Sequence, residues 1–253
     1  MKITDRHKFI LDKVLKEGTV SVVDLSEELK VSAVTIRKDL KFLEEKKLLF
    51  RAHGSASHFD PYVNDSPVNI KERIHVDEKR QIAQKAVEFI KPEDSIIIAS
   101  GTTVLEVARA IDPYTKLTVL TAALNVAESL LGHKDLEIVM LGGVVRKSSF
   151  SAVGPYAEKM LNDFACNKLF LGVDGIDLEF GLTTTNMLEA HLNQKMIKAA
   201  QRIIVVADSS KFGRKGFGKI CDIDAVDIII TDSGISSAFV KKIEEAGVKL
   251  IVA

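Results

Sequence analysis

Residues 95 to 103 read Ser-Ile-Ile-Ile-Ala-Ser-Gly-Thr-Thr, a strand-length apolar run that ends in a small polar turn and passes straight into the helical stretch Val104 to Ile111. The same alternation recurs to the C-terminus. Apolar runs of strand length lie at Ser95 to Ala99, Leu117 to Thr121, Glu137 to Leu141, Lys168 to Val173, Ile203 to Ala207, Val226 to Thr231 and Lys249 to Val252. Helical stretches such as Asn125 to Leu131 and Ala190 to Ala200 separate them. Runs that are apolar throughout are buried on both faces, and crossover helices join parallel neighbours. Residues 72 to 253 are therefore expected to form a mainly parallel α/β domain, whose ligands would sit beyond the carboxyl ends of the strands.

The turn Ser100, Gly101, Thr102 and Thr103 suits an anion, because a helix N-terminus presents backbone N–H groups and the side chains add hydroxyls. Phosphate is the natural occupant, although Ser and Thr also serve as plain helix caps. Further polar groups interrupt the apolar pattern where strands end: Asn125, Gly142 and Gly143 with Arg146, Asp174 and Asp177, Thr184 with Glu189 and Lys195, and Lys211. Each alone reads as a cap, a turn or a solvated face. Their shared location after successive strands points to one common site.

The N-terminal residues have a different period. Ile10 and Val14 lie on one face of a helix from Thr4 to Lys16 that Gly18 stops. Ser21 with Asp24 opens a second helix, Lys30 and Val31 turn the chain, and Ser32 caps a third whose Ile36, Leu40 and Leu43 share a face. Leu48 to Gly54 suggest two short strands around a turn, so residues 1–57 have the layout of a winged helix-turn-helix. The opposite face of the third helix carries Thr35, Lys38 and Lys41, with Ser32 and Arg37 at its start, as a helix in the DNA major groove requires. Ser21 opens the preceding helix, and Arg51 and His53 in the wing complete the candidate DNA-binding set. Two prolines and little periodicity from Ser55 to Asn69 mark a linker, placed at 58–71.

Composition fits this division. The 253 residues are 46% apolar and 28% charged, with a net charge of zero. Residues 1–58 hold 12 Lys and Arg against 9 Asp and Glu, and the remainder 23 against 26, so +3 faces −3. No apolar run approaches the roughly 20 residues of a membrane span, and Met1 to His7 lack a signal-peptide core. A soluble cytoplasmic protein with no membrane partner is expected. Cys166 and Cys221 have neither zinc nor disulfide spacing and read as buried thiols; no cofactor and no metal is indicated.

Val31-Ser32, then Thr35-Ile36-Arg37-Lys38-Asp39-Leu40, Leu43-Glu44, Arg51 and His53-Gly54 resemble the N-terminal signature of the DeoR family of transcriptional regulators. Lys47 and Ser55 stand where that family usually has glycine. Residues 72 to 253 resemble its effector domain, related in fold to ribose-5-phosphate isomerase and coenzyme A transferases. The resemblance implies that Ser100 to Thr103 hold a sugar phosphate, that Asn125, Arg146, Asp174, Glu189, Lys195 and Lys211 line or support the pocket, and that the acidic residue usual before the turn is Ala99 here. Val173 to Asp177, Gly181 to Thr184 and Gln194 to Ile197 look most like the family's amino-sugar regulators.

A repressor of carbohydrate catabolism that binds double-stranded operator DNA as a dimer or tetramer, and is relieved by a phosphorylated sugar, follows as the expectation. The alternative is a sugar-phosphate aldose-ketose isomerase that uses Asp174, Asp177, Glu189 and Lys195 for proton transfer. A module for DNA is of no evident use to an isomerase, so no catalytic residue is assigned.

Overall fold

The computed structural model describes residues 3–17, 19–46, 48–52, 54–57 and 63–253. The expected helix stop at Gly18, the departure at Lys47 and the candidate DNA contact His53 lie outside the described residues.

The N-terminal module contains α1 (Ile3–Glu17), β1 (Thr19–Ser21), α2 (Val22–Leu29), α3 (Ala33–Glu45), β2 (Phe50–Ala52) and β3 (Ser55–Ser57). Its caps are the expected ones. Ser21 Oγ accepts from the Asp24 N–H at 3.0 Å, and Ser32 Oγ from the Thr35 N–H at 3.2 Å. Lys30 closes α2 in the left-handed region (φ 52°), and the Val31 N–H returns to the Ser26 carbonyl. Ile36, Leu40 and Leu43 bury against Ile10, Val14 and Leu25. The wing strands β2 and β3 pair antiparallel, with Gly54 at φ 77° between them. Ser55, despite replacing a family glycine, is ordinary strand residue opposite Ala52. Strand β1 joins the other side of β3 and was invisible in the sequence, being three residues long.

In the larger part, α4 (Val68–Lys71) and α5 (Val76–Val87) lead into β4 (Ser95–Ile98), α6 (Thr102–Arg109), β5 (Leu117–Thr121), α7 (Leu124–Leu130) and β6 (Leu136–Met140). The hairpin β7 (Val144–Arg146) and β8 (Ser151–Val153) precedes α8 (Pro155–Met160) and β9 (Cys166–Gly172). A second hairpin, β10 (Gly175–Asp177) and β11 (Gly181–Thr184), precedes α9 (Met187–Lys198), β12 (Ala200–Val206) and β13 (Gly218–Cys221). Strand β14 (Ile228–Thr231), α10 (Ser237–Glu245) and β15 (Lys249–Val252) complete the chain.

All seven expected strand runs fall in one sheet, in the order β15-β14-β12-β9-β4-β5-β6, and every pair is parallel. Both faces are covered: Ile96 and Ile98 enter the core formed with Val104, Val107 and Val126, whereas Ile97 and Ala99 enter the one formed with Leu169, Leu192 and Met196. From β4 the chain builds outward to β5 and β6, then returns to β4's other side and builds outward through β9, β12, β14 and β15. The order therefore reverses between β4 and β9, where their carboxyl ends diverge and leave a crevice.

The short hairpins sit outside this sheet, and β10, β11 and β13 form an antiparallel sheet of their own. The stretch expected as linker is held against the larger body from residue 63: the Val63 N–H donates to the Lys215 carbonyl at 2.9 Å and the Val68 N–H to the Ser148 carbonyl at 2.7 Å. Cys166 is buried as expected, but Cys221 is half-buried. Burial pushes both thiols up, to about 11 and about 12, so neither is reactive near neutral pH.

Candidate functional sites

Helix α3 presents two unlike faces. Ile36, Asp39, Leu40 and Leu43 are buried, while Ser32, Arg37, Lys38 and Lys41 are exposed and Thr35 is half-buried. Asp39 is the charged exception inside. It accepts two hydrogen bonds from the Arg6 guanidinium, at 2.5 and 2.9 Å, and lies 3.1 Å from His7 Nε2, so it clasps α3 to α1. Burial alone would raise the Asp39 carboxyl, but Arg6 and His7 outweigh it and hold the carboxyl below its ordinary range.

Val34, 58% exposed, completes a stripe with Arg37, Lys38 and Lys41 at helical spacing. The sequence reading did not name it, because an apolar side chain carries no signal for a polar interface. The Ser21 and Ser32 hydroxyls are engaged in capping, and Ser32 Oγ also lies 2.9 Å from Thr35 Oγ1. Arg51 is turned back on α3: its N–H donates to Glu44 Oε1 at 3.1 Å and its Nη1 lies 3.4 Å from Glu44 Oε2.

At the crevice between β4 and β9 lies a cleft with about 610 Å³ of empty space, open to solvent. Strand β4 delivers the turn Ser100 to Thr103. Gly101, at φ 133°, is the N-cap of α6 and has no side chain with which to satisfy the first N–H groups of that helix. Thr102 and Thr103 are buried at the helix start. Gly172 at the end of β9 lets the two strands approach, since a Cβ there would stand 3.2 Å from the Ser100 carbonyl oxygen.

The charged lining consists of Lys71, Arg146 and Lys211 against Asp65, Asp174 and Glu189. Lys71 Nζ lies 2.7 Å from Asp174 Oδ1, and Thr184 Oγ1 donates to Asp174 Oδ2 at 2.9 Å. Burial would raise the Asp174 carboxyl, yet Lys71, Lys211 and the Thr184 hydroxyl together hold it low and ionised. Arg146, on β7, divides its guanidinium between Glu189, at 3.2 Å, and Asp65. Glu189 also accepts from Ser151 at 3.3 Å, and Thr184 Oγ1, whose one proton goes to Asp174, lies 3.3 Å from it. Among the described residues Lys211 has no carboxylate within ion-pairing distance, although its charge helps hold Asp174 ionised.

Of the sequence-predicted ligand residues, Ser100, Gly101, Thr102, Thr103, Arg146, Asp174, Thr184, Glu189 and Lys211 line this cleft. Asn125, Gly142, Gly143 and Lys195 do not. Asn125 Oδ1 sits 3.0 Å from the Val126 N–H at the start of α7. Gly143 serves the β7–β8 hairpin, where a Cβ would stand 2.6 Å from the Val153 carbonyl oxygen. Lys195 lies in the last turn of α9, where it complements the helix dipole. Asp177 is likewise off the cleft, fixing its hairpin through the Glu179 and Phe180 N–H groups and pairing with Lys215 at 3.3 Å.

Sequence reasoning missed Asp65, Lys71 and Asn193. Nothing local marks Lys71, which meets Asp174 across 103 positions. Its placement depends on Lys79, a buried lysine whose Nζ donates to the Lys71 carbonyl at 2.6 Å and to the Ile74 carbonyl. Burial lowers the Lys79 ammonium below its ordinary range.

Comparison with known proteins places these features in context. A family model described as the DeoR C terminal sensor domain matches residues 74–233, and one described as a DeoR-like helix-turn-helix domain matches residues 6–61. A protein of Escherichia coli O157:H7 named as an aga operon transcriptional repressor is 42% identical over 252 residues, covering 98% of this chain and 93% of the relative. The glycerol-3-phosphate regulon repressor of Escherichia coli K12 is 33% identical over 233 residues, covering 92% of each. Among solved structures, ribose 5-phosphate isomerase A of Methanocaldococcus jannaschii shares 14% identity, with a TM-score of 0.41 over 55% of each chain.

Proposed function

The chain belongs to the DeoR family of transcriptional regulators, and from that premise we propose that it represses a carbohydrate-catabolism operon and is relieved when a phosphorylated sugar occupies the cleft. The observation that carries the sensing half is the meeting, in one crevice, of an uncapped helix N-terminus with Lys71, Arg146 and Lys211. The α6 N–H groups, the Thr102 and Thr103 hydroxyls and Lys211 suit the phosphate. Asp174, Glu189 and Asn193 suit the hydroxyls of a sugar, because carboxylates and amides accept from and orient polyols.

Cleft residues bind without turning the sugar over. Of the four residues that could supply an isomerase's proton-transfer groups, Asp177 and Lys195 lie off the cleft, and the relatives are named as regulators. On the DNA side, Arg37, Lys38 and Lys41 supply contacts to phosphates and guanine edges, Val34 a contact to a thymine methyl, and Thr35 a hydroxyl to bases or backbone. One small helix-turn-helix makes few contacts, so a symmetric oligomer on paired half-sites supplies the rest.

A thermal-shift screen of the whole chain against pentose 5-phosphates, hexose 6-phosphates and amino-sugar 6-phosphates tests the sensing half. A hit should lose most of its shift in Thr102→Ala and in Thr103→Ala. A shift untouched by both substitutions, or turnover of the hit at ordinary enzymatic rates, contradicts the reading.

A further inference from the structure

The cleft is already balanced before any ligand enters. Its three cations face three carboxylates, and one of these, Asp65, comes from the segment that leads out of the DNA-binding module. Asp65 pairs with Arg146 and accepts from Thr185 Oγ1 at 3.2 Å, while backbone bonds at Val63 and Val68 lay the segment across the cleft. We infer that Asp65 is an internal stand-in for a ligand anion: it competes for Arg146, lowers the cleft's affinity for phosphorylated ligands, and leaves with its segment when such a ligand binds. This rests on reading the cleft as an anion site.

The three carboxylates differ in how firmly they are held. Glu189 is 8% exposed and bonded to Ser151 as well as Arg146. Asp174 is 14% exposed and bonded to Lys71, Thr184 and the Thr185 N–H. Asp65 is 41% exposed and sits on an irregular segment. A bound phosphate adds a charge of about −1.5 to −2 to a cleft whose side chains sum to zero, so like-charge repulsion favours the departure of a carboxylate. Asp65 costs least to return to water, since the others would leave desolvated partners behind. Its departure removes the side-chain tie of residues 63–68. Strand β3 ends at Ser57, only six positions before Val63, so the segment that lets go is the tether of the DNA-binding module.

The test uses the full chain, inorganic phosphate as probe, and the substitutions Asp65→Asn and Asp65→Glu. A strap docked for nine-tenths of the time lowers apparent affinity about tenfold, so Asp65→Asn should bind phosphate about tenfold more tightly than the wild type, with Asp65→Glu close to the wild type. Amide hydrogen exchange at residues 63–68 should be slow in the unliganded wild type, fast in Asp65→Asn, and accelerated in the wild type by phosphate. Equal phosphate affinities, with 63–68 protected throughout, overturn the strap and leave the anion site standing. Phosphate that binds none of the three proteins overturns the anion site and the strap together.

Discussion

A single buried carboxylate clasps α3 to α1. Asp39 lies on the inner face of α3, where the sequence pattern calls for an apolar residue, and its two oxygens are spent on Arg6 and His7 of α1. Removing one member of a buried pair strands the other, so Asp39→Asn should destabilise the N-terminal module by about 2–3 kcal/mol in denaturant titrations. Because the folded-state carboxyl is held below its unfolded value of about 3.9, the clasp contributes fully above that pH and is lost as the pH falls through the folded-state value. The wild type should therefore lose stability on acidification in a way that Asp39→Asn does not. A cost below about 0.5 kcal/mol, or identical acid limbs, would remove the clasp. Lys79 plays the matching part for the cleft: Lys79→Met leaves the Lys71 carbonyl with the Ile74 N–H alone and takes the ammonium donor from the Ile74 carbonyl, and ligand affinity should fall several-fold although Lys79 does not line the site. Unchanged affinity measured by calorimetry would show that Lys71 needs no such support.

Elements set how much could be read in advance. The seven sheet strands were legible because burial on both faces turns them into unbroken runs such as Ser95 to Ala99, and the helix caps were legible because Ser21 and Ser32 carry the chemistry themselves. The hairpins β7–β8 and β10–β11 were not. Their strands are three or four residues long, too short for a period to show, and Gly142 and Gly143 looked like site residues when Gly143 is there to let β7 pass the Val153 carbonyl. Gly143→Ala tests this: at φ 148° with a 2.6 Å contact, the added methyl should cost about 1–3 kcal/mol and, by shifting Arg146 on β7, weaken ligand binding. A variant with wild-type stability and affinity would mean the hairpin has room to adjust. Asp65 was illegible for another reason. Beside Ser66 and Pro67 its composition reads as linker, and only the tertiary fold brings it to Arg146.

At the scale of the whole molecule, the net charge of zero conceals its division. The cationic excess travels with the module that carries Arg37, Lys38 and Lys41, and the acidic excess with the sheet domain. The N-terminal core around Ile10, Leu25 and Ile36 is separate from the two that cover the large sheet, so on the proposed function any effect of the cleft on α3 travels through the connecting segment or the surface where Ser21 and Asp24 face Asp177 and Lys242, not through a shared interior. Affinity for DNA should fall steeply with salt, and Arg37→Ala with Lys38→Ala should both weaken binding and reduce the slope by about two. A double variant that keeps wild-type affinity and slope would place the DNA contact elsewhere.

The central claim is that occupancy of the cleft controls the hold on DNA, and linkage makes that measurable in one titration. The full chain is titrated onto its own upstream DNA at fixed salt, with and without a saturating sugar phosphate found by thermal shift. The account predicts that the ligand moves the midpoint to higher protein concentration, about tenfold or more, and that Thr102→Ala with Thr103→Ala abolishes the displacement while leaving ligand-free binding intact. A midpoint that stays where it was when the cleft is full contradicts it.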